Sequence, residues 1–215
     1  MLQRDEGGLF LTDGDLCVRG DFSKLLRRVR SRNLHGELLV KAAHIKSADR
    51  QLTAVDATAG LGDDSFLLAA AGFEVWLFEQ NEIIAQLLGD TITRALEDPS
   101  LASIALRMHV AHEDSVLALP RLDFSPDVVL LDPMFPAKSK SAQVKKKLQL
   151  LQQLEHPCAD EHALLDAALS AHPRKVIVKR PVKGPHLAGR KPDYTLAGKA
   201  IRFDVIVGNA SEPRE

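Results

Sequence analysis

Two short clusters hold the residues whose types and spacing can do chemistry. One is Asp56-Ala57-Thr58-Ala59-Gly60-Leu61-Gly62-Asp63-Asp64, an acidic turn with a G-x-G pair. The other is Leu131-Asp132-Pro133-Met134-Phe135-Pro136, which follows the apolar run Val128 to Leu131. The amine of a nucleobase has its lone pair delocalised into the ring, so it attacks a carbon only once it is turned out of conjugation and aimed. A carboxylate and a backbone carbonyl held by prolines accept its two hydrogens and do both. An aromatic ring stacks on the base, worth about 1–3 kcal/mol. Asp132 is the expected acceptor, Pro133 the residue that stiffens the turn, and Phe135 the stacking platform. Positioning then dominates the reaction, with nucleophile and target carbon roughly 3–3.5 Å apart. The plainer reading of Asp132-Pro133 is a strand-ending turn.

Glycine lets a backbone approach a ligand with no Cβ in the way. Gly60-Leu61-Gly62-Asp63-Asp64-Ser65 departs from the dinucleotide pattern G-x-G-x-x-G, because Ser65 stands at the third glycine and two carboxylates open the next helix. A pyrophosphate prefers that positive helix end free of competing anions. Asp63 and Asp64 repel it and welcome a cation. S-adenosyl-L-methionine, with a sulfonium and an ammonium, therefore ranks well above NAD as cofactor. Asp56, Gly60, Gly62, Asp63 and Asp64 are its expected surroundings. Glu79 ends the run Val75-Trp76-Leu77-Phe78-Glu79, where an acid accepts hydrogen bonds from ribose hydroxyls. Asp114 and Ser115 follow the next strand, where an adenine contact is usual, although Asp114 also reads as a helix cap.

These residues need strand ends to hold them. Apolar runs predict strands at 52–57, 73–79, 105–110, 127–132 and 174–179, with helices at 63–71, 82–97, 138–154 and 160–171 between them. Asn81 is a candidate N-cap, and Gly72 a helix C-terminal glycine. Strands alternating with helices imply a parallel sheet with right-handed crossovers. Tyr194 to Leu196 and Ile201 to Val207 read as a closing hairpin around Gly198-Lys199. The expected fold class is α/β: a doubly wound, Rossmann-like class I methyltransferase with a mostly parallel seven-stranded sheet ending in an antiparallel hairpin. Ahead of it, Leu9 to Thr12, Asp13-Gly14 and Asp15 to Val18 predict a small N-terminal β-hairpin with a two-residue turn. A short helix is expected at 36–46. The expected division is 1–35, hairpin and basic segment, and 36–215, the catalytic domain.

The chain has 215 residues, 45% hydrophobic and 27% charged, with a net charge of −1. It is no polycation, so any nucleic-acid contact must come from local patches. Basic runs occur at Lys24 to Arg32, at Lys138, Lys140, Lys145, Lys146 and Lys147, and around Lys179, Arg180, Lys183, Arg190 and Lys191. For any single run a solvated face is the common explanation; three runs at the catalytic edge favour RNA or DNA over a small metabolite. Cys17 and Cys158 show no metal or disulfide spacing, and Cys17 is expected to pack in the hairpin. No metal site, no signal segment and no apolar run near the roughly 20 residues of a membrane span are expected, which fits the cytoplasm.

The motifs DATAGLG, then FE, then LDPMFP, then K-x-K-S-A-x-V-K-K and V-K-R-P resemble the ribosomal RNA small subunit methyltransferase J family, over about residue 36 to Val207. The resemblance implies methyl transfer from S-adenosyl-L-methionine to N2 of a guanosine in 16S rRNA. It places cofactor contacts at Asp63, Asp64, Glu79, Gln80, Asp114, Ser115 and Asp132. The family often has Arg at the positions of Asp63 and Gln80 and Ser at that of Asp114, and its N-terminal region is usually longer. The expected partner is 16S rRNA or the small ribosomal subunit, with no membrane and a monomer favoured. Lys138, Lys140, Lys145, Lys146, Lys179 and Arg180 are the expected RNA contacts. Another nucleic-acid amino methyltransferase, such as an adenine-N6 enzyme, and a non-catalytic nucleotide- or RNA-binding module are the alternatives.

Overall fold

Four apolar segments become parallel strands because each is buried on both faces. They are β4 (Thr53–Asp56), β5 (Glu74–Glu79), β7 (Val128–Leu131) and β8 (Lys175–Pro181). The computed structural model describes residues 1–46, 49–133 and 160–208. Phe135, Lys138, Lys140, Lys145, Lys146, Cys158 and the helix expected at 138–154 lie outside the described residues.

With β6 (Met108–His112), β9 (Tyr194–Ala197) and β10 (Ile201–Val207), these strands form one seven-stranded sheet, ordered β6-β5-β4-β7-β8-β10-β9. β4 pairs in parallel with both β5 and β7, and β8 in parallel with β7. β10 runs antiparallel between β8 and β9, as the closing hairpin required. Strand order reverses between β4 and β7, and ligands of doubly wound sheets bind at the carboxyl ends of the strands at that point.

Side-chain alternation divides the core. Ala54, Val128, Leu130, Ile177 and Phe203 face one side, packed with α3 (Leu38–Ala43), α4 (Asp63–Ala70) and α5 (Glu82–Glu97). Val55, Val129, Leu131, Val176 and Val178 face the other, against α7 (Ser115–Ala118) and α8 (Glu161–Ser170). Asn81 caps α5 by accepting from the amides of Ile83 and Ile84 at 3.0 and 3.2 Å. Gly72 follows α4 with φ +98, the left-handed conformation a helix-ending glycine takes. The third parallel strand sits later than the predicted 105–110, because Ala102–Ala105 forms a short helix, α6.

The N-terminal hairpin proves larger than predicted. β1 (Leu2–Asp5), β2 (Gly8–Thr12) and β3 (Cys17–Val18) form a three-stranded antiparallel sheet. Thr12 pairs with Cys17, so the connection is longer than Asp13-Gly14; the Asp13 carboxylate shapes it by accepting from the amides of Asp15 and Leu16. Cys17 is exposed rather than packed. Leu11 and Val18 lie on Leu87 of α5, and Arg4 and Arg94 both reach Asp90, at 3.0 and 2.8 Å. A Cβ at Gly8, where φ is +101, would stand 2.5 Å from the Arg94 and Asp90 side chains. After the 3₁₀ turn Phe22–Leu25 come α1 (Leu26–Val29) and α2 (Ser31–Leu34). Phe22, Leu25 and Leu34 enter the main core, so the segment before residue 36 is packed on the large domain. No described helix is long and apolar enough to cross a membrane.

Candidate active site

The turn after β4 is built from the inside. Asp56 is 2% exposed. Its carboxylate accepts from the Thr58 amide at 3.1 Å and from Ser65 Oγ at 2.5 Å, tying the start of the turn to the first turn of α4. Gly60 and Gly62 have φ of +53 and +79, which L side chains rarely adopt. A Cβ on Gly62 would also meet Leu88 at 2.7 Å and Phe22 at 3.3 Å. Glu79, buried at the end of β5, accepts from the Gly60 amide at 3.0 Å and from the Asn81 amide at 2.8 Å. It therefore fixes the glycine turn and the entry to α5 together. A carboxylate offers about four lone-pair sites, and with the Gln80 amide also favouring its charge about one remains for a ligand.

β7 delivers Asp132 beside this turn. The Asp132 amide donates to Thr58 Oγ1 at 2.6 Å, which links the two loop tips directly. Lys179, from β8, joins them a second time: its Nζ lies 2.5 Å from Asp64 Oδ2 and 2.9 Å from Asp132 Oδ2. Among the described residues Asp132 Oδ1 has no hydrogen-bond partner. Pro133 is buried. Among the described residues, Lys179 is the cation in ion-pair contact with Asp64 and Asp132, while Arg28 acts on Asp63 and Asp64 from farther off.

The electrostatics follow from that crowding. Burial pushes the Asp56 carboxyl up to about 7, with the charges of Asp64 and Asp132 adding to it. Burial also raises Asp63, reinforced by Asp64, and raises Asp132 against the opposing pull of Lys179. Glu79 is raised by burial although three backbone amides favour its charge. Burial disfavours the Lys179 cation, but Asp64 and Asp132 outweigh it and hold the ammonium charged. Such a cleft binds cations and repels phosphates, so its donor set fits S-adenosyl-L-methionine.

A family described as "Putative SAM-dependent methyltransferase" matches residues 12–208. The ribosomal RNA small subunit methyltransferase J of Thioalkalivibrio sulfidiphilus is 44% identical over 177 residues, 81% of this chain and 69% of that protein. That of Neisseria meningitidis is 39% identical over 210 residues, 96% of this chain and 83% of that protein. The chain belongs to the ribosomal RNA small subunit methyltransferase J family. As a member it is an S-adenosyl-L-methionine-dependent methyltransferase. The crystal structure of a SAM-dependent methyltransferase from Neisseria gonorrhoeae superposes with a TM-score of 0.75 at 36% identity, covering 95% of this chain and 80% of that one. An rRNA methyltransferase from Streptomyces viridochromogenes, 16% identical with a TM-score of 0.54, shares the fold.

Within this methyltransferase J site the structure brings Gly60, Gly62, Asp63, Asp64, Glu79 and Asp132 to one edge and revises three other expectations. Asp56 is too buried and too committed to Thr58 and Ser65 to face a ligand; it shapes the turn. Arg180 was expected on RNA, but it is 1% exposed and paired with Glu161 at 3.3 Å. Lys179, also expected on RNA, is held by two aspartates within the acidic cleft. Asp114 caps α7 by accepting from the Val116 amide at 2.9 Å, and its Oδ2 has no partner among the described residues. Ser115 is buried in the same turn, while Gln80 is exposed beside Glu79. The sequence reading missed Thr58 as the link between the loops.

Asp56 gives the site a measurable signature. Its carboxyl binds a proton more tightly folded than at the ordinary value of 3.8, so stability falls as pH rises from 3.8 to about 7. Urea unfolding of Asp56→Asn should lack this loss. The variant should gain on the wild type by up to about 1.4 kcal/mol per pH unit inside that window. A stability difference that stays constant with pH contradicts the assignment.

Proposed function

We propose that this chain methylates the exocyclic N2 amine of a guanosine in 16S rRNA, as naked RNA or in the small ribosomal subunit, working as a cytoplasmic monomer. One observation carries the reading: the glycine turn and Asp132 meet at the reversal of strand order, bound together by Thr58 and Lys179. The choice of guanosine N2 rests on the family.

S-adenosyl-L-methionine supplies a methyl group already activated on a sulfonium. Glu79, with Gln80 beside it, holds the ribose; Asp114 and Ser115 meet the adenine; Asp63 and Asp64 face the cationic end. Asp132 accepts a hydrogen of the guanine amine, turns its lone pair toward the methyl carbon and favours the positive charge that moves onto nitrogen. Pro133 stiffens that turn, and the methylated amine releases its extra proton to water. Phe135, from sequence, stacks on the base, and Lys138, Lys140, Lys145 and Lys146 contact phosphates.

Tritium transfer from labelled cofactor to small subunits lacking this modification, followed by nucleoside mapping, tests the reading. Label in N2-methylguanosine is expected. Label in N6-methyladenosine would reassign the base, and absence of label from every guanosine would reject the proposal.

A further inference from the structure

The segment from Phe22 to Gly36 contains Lys24, Arg27, Arg28, Arg30 and Arg32 and no Asp or Glu. Its position is fixed. Phe22 is 1% exposed and stacks on Phe66 with ring centroids 4.5 Å apart. Leu25 and Leu34 are buried in the same core, and Asn33 Nδ2 donates to the Arg27 carbonyl at 2.7 Å. Two of the cations are already used, Lys24 on Asp21 at 3.2 Å and Arg28 on Glu37 at 2.8 Å. Arg27, Arg30 and Arg32 are exposed and make no ion pair among the described residues.

The segment also adjoins the catalytic edge. Phe22 packs against Gly62, and Arg28 lies close enough to Asp63 and Asp64 for their charges to act on its guanidinium. The cleft is thus acidic at its centre and basic on this flank. A polyanion with its charges inside the cleft would meet Asp63, Asp64 and Asp132. One whose charged backbone stays on the flank while a neutral base turns inward meets no repulsion. Nucleic acid with an extruded base has that distribution of charge.

Resting on the RNA-methyltransferase reading, we infer that residues 22–36 form a preformed phosphate-binding arm, with Arg27, Arg30 and Arg32 contacting the RNA backbone beside the target nucleotide. Each phosphate contact contributes roughly −0.7 to −0.9 to the slope of log affinity against log salt. Replacing all three with Gln should make that slope shallower by about 2–3 for 16S rRNA or small subunits. The KM for RNA should rise, while turnover at saturating RNA and cofactor affinity should hold. The Arg27, Arg30 and Arg32→Lys triple should keep the wild-type slope, since Lys retains the charge. Lys41→Gln, at the far end of α3, should also keep it. A wild-type slope in the Gln triple overturns the arm, whatever that variant does to adsorption on phosphatidylserine vesicles. Wild-type protein that labels no guanosine would instead overturn the functional reading itself, so the two failures are distinguishable.

Discussion

Asp132→Asn should lower the turnover of methyl transfer by about 10²–10³-fold, the usual effect of removing one group that stabilises developing charge. The fold should survive, because the link to the glycine turn uses the Asp132 backbone amide on Thr58 and not the carboxylate. The side chain is 40% exposed, so little packing is lost. The amide replaces an oxygen that accepts with a nitrogen that donates, and it presents two hydrogens to an amine that already has two. It also removes the negative charge that favours charge transfer to nitrogen. Asp64, Glu79 and the glycine turn are untouched, so cofactor affinity should change far less than turnover. Calorimetry for the cofactor and single-turnover labelling of RNA separate the two quantities. Retention of more than about a tenth of wild-type turnover would remove Asp132 from the chemistry. A wild-type protein that binds cofactor and RNA but transfers nothing would make the chain a binding module.

The sheet was legible because β4, β5, β7 and β8 are apolar runs separated by helical periodicity, and the order of their ends placed Gly60, Glu79 and Asp132 at one edge. The misses have physical causes. β6 reads Met-His-Val-Ala-His and is largely exposed, so it lacks the apolar signal of the inner strands. β1 is Leu-Gln-Arg-Asp and is held by backbone pairing to β2, which composition does not display. Arg180 looked like a surface cation, yet strand alternation puts it on the face of Val176 and Val178, beneath α8. That period-two signal was present in the sequence. The role of Lys179 was not, because its partner Asp64 is 115 residues away and only the packing of β8 beside β7 joins them.

Lys179→Met should leave an enzyme whose activity is shifted along the pH axis. Asp132 must be ionised to accept the amine hydrogen. Burial raises its carboxyl above the ordinary value of 3.8, so the acid limb of turnover should lie above that of an ordinary aspartate. Lys179 is the main influence pulling that value down, at 2.9 Å from Oδ2. Removing the ammonium leaves Asp64 and Asp132 without the cation that bridges them, a costly arrangement for partly buried charges. The Asp132 carboxyl then rises further, and the acid limb of turnover should move to higher pH. Turnover should fall below the wild type at pH values under the shifted limb and recover toward it at alkaline pH. A residue that only propped up the fold would depress turnover equally at every pH and leave the limb in place. Lys179→Arg, which keeps the charge, should hold the limb near the wild-type position. The same logic fixes the sign for ligands: a cleft without its resident cation should favour sulfonium-bearing S-adenosyl-L-methionine over the neutral thioether product more strongly than the wild type does. If the pH profile and that preference both stay unchanged in the Met variant, Lys179 is a structural ion-pair partner and Asp132 holds its charge by other means.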